Sequence, residues 1–209
     1  MRTRVKICGF TRAEDAVIAA GLGVDAIGLV FYPPSPRNVA IEQAVAITQA
    51  LPAFVSVVGL FVDAEPKFIK NVLSQVSIDC LQFHGEESPE ACRLYGKPFI
   101  KAIRMKADTN LSELAKQYAD AAGLLLDAYH PGIQGGTGNV FDWELIKNQG
   151  KLPIILAGGL SPDNAELAVQ QVRPYALDVS SGVEAEKGIK DATKMAEFIK
   201  KTNLATEQL

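Results

Sequence analysis

The chain has no excess of positive charge. Lys and Arg number 21 against 24 Asp and Glu, a formal net charge of −3. A general nucleic-acid or anionic-membrane surface needs a basic patch, which this balance does not supply. No apolar run reaches the length of a membrane span or of a signal-peptide core, and Met1-Arg2-Thr3-Arg4 leads straight into Val5-Lys6-Ile7-Cys8. Cysteine is scarce and odd in number. Cys8, Cys80 and Cys92 are irregularly spaced, which speaks against a disulfide framework and for a reducing, cytosolic compartment. No cluster has metal-ligand spacing. There is no Walker A sequence, and no Gly-x-Gly-x-x-Gly follows an early strand. Linkers, low-complexity tracts and composition shifts are also missing, so a single domain over residues 1–209 is expected.

What is present is alternation. Short β-type runs occur at Val5–Cys8, Ala26–Phe31, Ser56–Val62, Cys80–Phe83, Phe99–Arg104, Gly123–Asp127, Pro153–Ala157 and Ala176–Ser180. The intervals of roughly 20 to 30 residues suit one β-loop-α-loop unit each. Helix-start signals fall between them: a capping-box spacing at Thr11 to Glu14, Ser88-Pro89, Asn110 before Leu111, and Ser161-Pro162. A last helix is expected over Asp191–Lys201. Near-continuous apolar strands separated by helices imply a parallel sheet covered on its faces. An open doubly wound sheet is the rival to a closed (β/α)₈ TIM barrel. The 209 residues lie close to the lower limit of roughly 200 for a complete barrel.

Two glycine-bearing strand exits favour closure. Ile154 to Leu160 runs through Gly158-Gly159, and Leu177 to Val183 runs through Ser180-Ser181-Gly182. Loops after the last two strands are where such barrels hold phosphate, and glycine lets backbone amides crowd an anion. Chemistry then belongs at the C-terminal strand ends, which are Cys8, Phe31, Val62, His84, Arg104, Asp127, Gly158 and Ser181. Cys8 before Gly9 is either a base or nucleophile with a lowered pKa, or a small buried hydrophobe. Asp127 after three leucines is either a general acid whose pKa burial raises, or a cap for the next loop. Arg37 follows a proline-stiffened loop and can pair with a carboxylate or stack on a ring. Gln82 and His84, two apart, share one face. Lys6 and Lys101 lie in strands and either pair with carboxylates or form a Schiff base. The glycine-rich loop with Gly135, Gly136 and Gly138 suits a lid.

Lys6-Ile7-Cys8-Gly9, Gly28 to Arg37, Gln82-Phe83-His84-Gly85, Leu126-Asp127, Gly135-Gly136-Thr137-Gly138, Phe141-Asp142-Trp143, Ala157-Gly158-Gly159-Leu160 and Asp178 to Glu184 together resemble the phosphoribosylanthranilate isomerase family. The resemblance implies a small (β/α)₈ barrel of tryptophan biosynthesis that works without a cofactor. It implies an Amadori rearrangement of a phosphorylated aminosugar, with Asp127 as general acid and Cys8 as general base. Arg37 then holds the anthranilate ring, and Gln82, His84 and Asp178 join the substrate site. Gly158, Gly159, Ser181 and Gly182 fall in the phosphate loops. Many members carry Lys-Thr where this chain has Asn139-Val140, a departure in the lid. The expected partner is the small-molecule substrate alone, bound by a monomer or homodimer. A Schiff-base aldolase, a non-catalytic phospholigand-binding barrel, and an isomerase that also takes an imidazole-containing aminoaldose are the alternatives.

Overall fold

The apolar runs become eight parallel strands that close on themselves. In the computed structural model, which describes residues 2–128, 143–146 and 151–208, the strands are β1 (Arg4–Cys8), β2 (Ala26–Val30), β3 (Ser56–Phe61), β4 (Cys80–Phe83), β5 (Phe99–Met105), β6 (Gly123–Ala128), β7 (Ile154–Leu156) and β8 (Ala176–Val179). They pair in chain order, and β1 also pairs with β8 to complete the barrel. Lys6 is the register partner of both Ala26 and Asp178, so the closure places one specific carboxyl beside one specific amine. The rival open sheet is thereby excluded.

Side-chain parity explains what each strand contributes. Val5, Ile7, Ile27, Leu29, Leu124, Leu126 and Leu177 point outward into the main core, between sheet and helices. The alternate residues Ala102, Leu125, Ile155, Ala157 and Ala176 form a small inner plug. Because successive side chains take opposite faces, each strand end lends the mouth only every second residue. Phe31, expected at the mouth, therefore faces outward and stacks on Phe61 with centroids 5.2 Å apart. Val30 and Tyr32 face the mouth instead.

The helices are α1 (Ala13–Gly21), α2 (Ile41–Ala50), α3 (Pro66–Gln75), α4 (Pro89–Cys92), α5 (Leu111–Gln117), α6 (Ala165–Val172) and α7 (Ala192–Glu207). Three starts have side-chain caps. Ser88 accepts from the Ala91 N–H at 3.3 Å, Asn110 from Glu113 at 3.1 Å and Asp191 from Lys194 at 3.0 Å. Two differ from expectation. The Thr11 hydroxyl turns instead to the Gly188 carbonyl, to which it donates at 2.5 Å, and α1 opens one residue later, at Arg12, without a side-chain cap. Ser161 and Asn164 close a turn on themselves: the Asp163 N–H donates to Ser161 Oγ and the Ser161 N–H to Asn164 Oδ1. The helix is delayed to Ala165. The last helix runs beyond Lys201 because Thr202 and Ala205 continue the buried stripe of Met195, Phe198 and Ile199. Sequence periodicity also missed a short antiparallel hairpin, β9 (Glu184–Glu186) with β10 (Ile189–Lys190), which turns through Gly188 at φ +84°. Among the described residues no helix is long and apolar enough to cross a membrane.

Burial pushes the Cys80 and Cys92 thiols up to about 11 from an ordinary 9.0. The folded protein keeps these protons where the unfolded chain loses them. Their contribution to stability is therefore complete below pH 9 and is lost as pH rises to about 11. Urea midpoints should fall across that interval, and a Cys80→Ala, Cys92→Ala double variant should show a shallower fall from a lower starting value. An equally steep decline in the double variant would assign the effect to other groups.

Candidate active site

A cavity of about 610 Å³ opens at the C-terminal ends of the strands. Cys8, Arg37, Gln82, His84, Asp127, Gly158, Gly159, Asp178 and Ser181 all line it. Residues as far apart in the chain as Cys8 and Ser181 thus share one space, because parallel strands deliver their C-terminal ends to the same rim. One wall is apolar, made of Val30, Tyr32, Leu60 and Val62, with Cys8 packed against it. Gly28 makes room for the thiol, since a Cβ there would lie 2.6 Å from Cys8 Sγ.

Beneath Cys8 lies a buried ion pair in which Lys6 Nζ donates to Asp178 Oδ1 at 2.8 Å. Burial opposes the Lys6 charge, but Asp178 and Cys8 outweigh it and raise the amine above its ordinary range. For Asp178, burial is the largest influence and raises the carboxyl, with Lys6 offsetting part of that. The two directions favour different states of the pair. The short N–O distance and matched register decide for the charged one. Cys8 departs from expectation. Burial pushes its thiol up, and Lys6 and Lys190 recover only part of the shift. With no substrate charge nearby, desolvation therefore outweighs the two ammonium groups, and the proton stays on sulfur.

On the opposite side of the mouth, a hydrogen-bonded row leads to Asp127. Gln82 Nε2 lies 3.0 Å from His84 Nδ1, and His84 Nε2 lies 3.2 Å from Asp127 Oδ2. With the amide in this orientation, Gln82 donates to Nδ1 and leaves the ring proton on Nε2 to meet the carboxyl. Gln82 is fully buried, and its Oε1 has no partner. The row fixes the direction of Asp127, itself buried at the end of β6.

Arg37 is held by more than its prolines. Its Nε and Nη2 each bond a Glu184 carboxylate oxygen at 2.7 Å, a two-point clasp that matches guanidinium geometry. Lys190 Nζ donates to the same carboxylate at 2.9 Å and to the carbonyls of Cys8 at 2.6 Å and Ser180 at 3.1 Å. Burial opposes charge on Glu184, yet Arg37 and Lys190 hold its carboxyl below the ordinary range. The hairpin thereby ties the end of β1, the exit of β8 and the Arg37 loop together. Sequence reasoning quoted Glu184 only inside a motif and missed Lys190 altogether. The Lys187-Gly188 turn between apolar-flanked residues was the available signal.

The two glycine exits meet on the far side of the cavity. Gly158 and Gly159 have φ of +79° and +66°, a left-handed pair that turns successive N–H groups toward one concavity. Across from them, a Cβ on Gly182 would strike the Leu160 carbonyl oxygen, so only glycine lets the β8 exit approach the β7 exit. Ser181–Val183 forms a single 3₁₀ turn there. Lys101 belongs elsewhere: it is buried against the Gly85 carbonyl at 2.6 Å and Glu87 at 3.0 Å. Gly135, Gly136, Gly138, His130 and Asn139-Val140 lie outside the described residues. Among the described residues no group of three His, Cys, Asp or Glu side chains converges as metal ligands would.

Comparison with known proteins adds a family to this geometry. Residues 5–201 match the family model described as N-(5′-phosphoribosyl)anthranilate (PRA) isomerase. An N-(5′-phosphoribosyl)anthranilate isomerase of Nitrosococcus oceani is 58% identical over 200 residues, spanning 96% of this chain and 97% of that protein. The crystal structure of the phosphoribosyl anthranilate isomerase from Thermotoga maritima superposes with a TM-score of 0.87 at 42% identity, covering 96% of this chain and 98% of that one. Another solved isomerase, with TM-score 0.84, 41% identity and coverage of 96% and 98%, was crystallised with reduced 1-(o-carboxyphenylamino)-1-deoxyribulose 5-phosphate.

Proposed function

Since the chain belongs to the N-(5′-phosphoribosyl)anthranilate isomerase family, we propose that it rearranges N-(5′-phosphoribosyl)anthranilate to 1-(2-carboxyphenylamino)-1-deoxyribulose 5-phosphate in tryptophan biosynthesis, with Cys8 and Asp127 as its proton-transfer groups. The observation that carries the assignment of roles is that these two buried groups line one cavity from β1 and β6, with the paired glycine exits on its rim. The phosphate sits on the backbone amides of Gly158, Gly159, Ser181 and Gly182. The pentose then lies between the thiol and the carboxyl, and the aromatic ring reaches the apolar wall beside Arg37.

The reaction begins with ring opening. Asp127 gives its proton to the furanose ring oxygen as the C1′–O bond breaks, and the anilino nitrogen pushes in to form a C1′ iminium. That cation acidifies the C2′ proton. It also adds positive charge beside Cys8 to that of Lys6 and Lys190, so the thiol gives up its proton to solvent and the three cations together stabilise the thiolate. Sulfur removes the C2′ proton, giving an enolamine. The enolamine then tautomerises to the ketone, C1′ gaining a proton as the C2′ hydroxyl loses one. Each proton transfer contributes about 10²–10⁴-fold, and holding the sugar between fixed groups supplies the rest. A Schiff-base aldolase finds no support in Lys6 or Lys101, because each ammonium already has a carboxylate within 3.0 Å. The three free thiols suit a cytosolic location.

The direct test generates substrate in situ from anthranilate and phosphoribosyl pyrophosphate and follows its fluorescence. Loss of signal on adding the protein supports the reading, and no acceleration rejects it. Arg37→Ala should raise KM about 5- to 30-fold with little change in kcat, the range of a desolvated guanidinium–ring contact. Glu184 keeps Lys190 as its partner in that variant, so the fold should survive. A change confined to kcat would remove Arg37 from substrate anchoring.

A further inference from the structure

The substrate is anionic at both ends, and the phosphate exits account for only one of them. The other is the ring carboxylate, ortho to the anilino nitrogen. It needs a cation whose donors are not already committed. Lys6 is matched by Asp178, while Arg37 and Lys190 share the one Glu184 carboxylate, which takes the Arg37 Nε and Nη2 donors, and Lys190 spends its other bonds on the Cys8 and Ser180 carbonyls. Arg104 differs. It is half-buried, lines the cavity, and has no carboxylate partner among the described residues. It stands on the same face of β5 as Ala102 of the inner plug, and its register partner on β6 is Asp127. Its position therefore adjoins the carboxyl that works on the sugar, within the same cavity that would take an ortho carboxylate on the anilino group. Lys187, which also lines this cavity and has no ion pair among the described residues, is exposed on the hairpin tip, where water screens it.

We infer that Arg104 is the residue that binds the anthranilate carboxylate and so selects this substrate over aminosugars without one. This rests on the proposed function. Removal of a charge-assisted hydrogen bond of this kind costs about 10- to 150-fold in affinity. It also acts on one functional group of the ligand, which separates it from a loss of general packing.

The experiment compares two stable ligands by calorimetry. One is reduced 1-(o-carboxyphenylamino)-1-deoxyribulose 5-phosphate, and the other is its phenyl counterpart without the carboxylate. The wild-type protein should prefer the carboxylated ligand by about 10- to 150-fold. Arg104→Gln should erase that preference while binding the phenyl ligand as tightly as wild type does. Arg104→Lys should restore part of it, and Lys187→Gln should leave it intact. Retained preference in Arg104→Gln, or equal losses for both ligands, would overturn the assignment. If the wild-type protein binds neither ligand and leaves the substrate fluorescence unchanged, it is the proposed function that fails.

Discussion

Cys8→Ala should lower kcat by about 10²–10⁴-fold while KM stays near its wild-type value. In the proposed mechanism the thiol touches the sugar only at the atom that loses a proton, so its loss should remove transition-state stabilisation and little ground-state binding. The cavity wall tolerates the change, because Cys8 packs against Val30 and Leu60 and Ala leaves a small gap. Burial holds the free thiol above its ordinary pKa. The kcat/KM of the wild-type protein should therefore still be rising past pH 9, the ordinary thiol value, where an unperturbed or lowered thiol would already be levelling off. A substrate deuterated at C2′ should turn over more slowly, since its C–D bond breaks at sulfur. Near-wild-type turnover in Cys8→Ala would take this residue out of the mechanism.

Asp127→Asn should be as severe, again about 10²–10⁴-fold in kcat, for a different reason. The amide is the same size and can keep its contact with His84, but it has no acidic proton for the ring oxygen. Ring opening then limits the reaction, and the C2′ isotope effect should shrink or vanish. In Cys8→Ala the isotope effect should persist or grow. The two variants are thus separable although both are nearly inactive. An undiminished isotope effect in Asp127→Asn would place the slow step after ring opening and deny the carboxyl its role as acid.

Most of the cavity's lining was legible because barrel geometry converts a local pattern into a spatial one. Once eight apolar runs are recognised, every strand end shares a rim, and Cys8, His84 and Asp127 fall together without further information. The thiol's titration was not legible. Its direction depends on a sum of burial, Lys6, Asp178 and Lys190; burial itself, and the approach of Asp178 and Lys190, come only with folding. The helix starts show the same division. Ser88, Asn110 and Asp191 cap as local rules expect, since their partners lie three residues away. Thr11 does not cap: its hydroxyl is directed to a carbonyl 177 positions away and α1 opens one residue later.

Strand positions, inward parity and the glycine turns were written in the sequence, because each follows from spacing within a few residues. Only closure of the barrel decided which carboxylate neutralises which cation. Asp178 reaches Lys6 from 172 positions away, and Glu184 reaches Arg37 from 147. Coulomb attraction depends on distance in space, so the charge left over for the substrate appears only when β8 lies down beside β1.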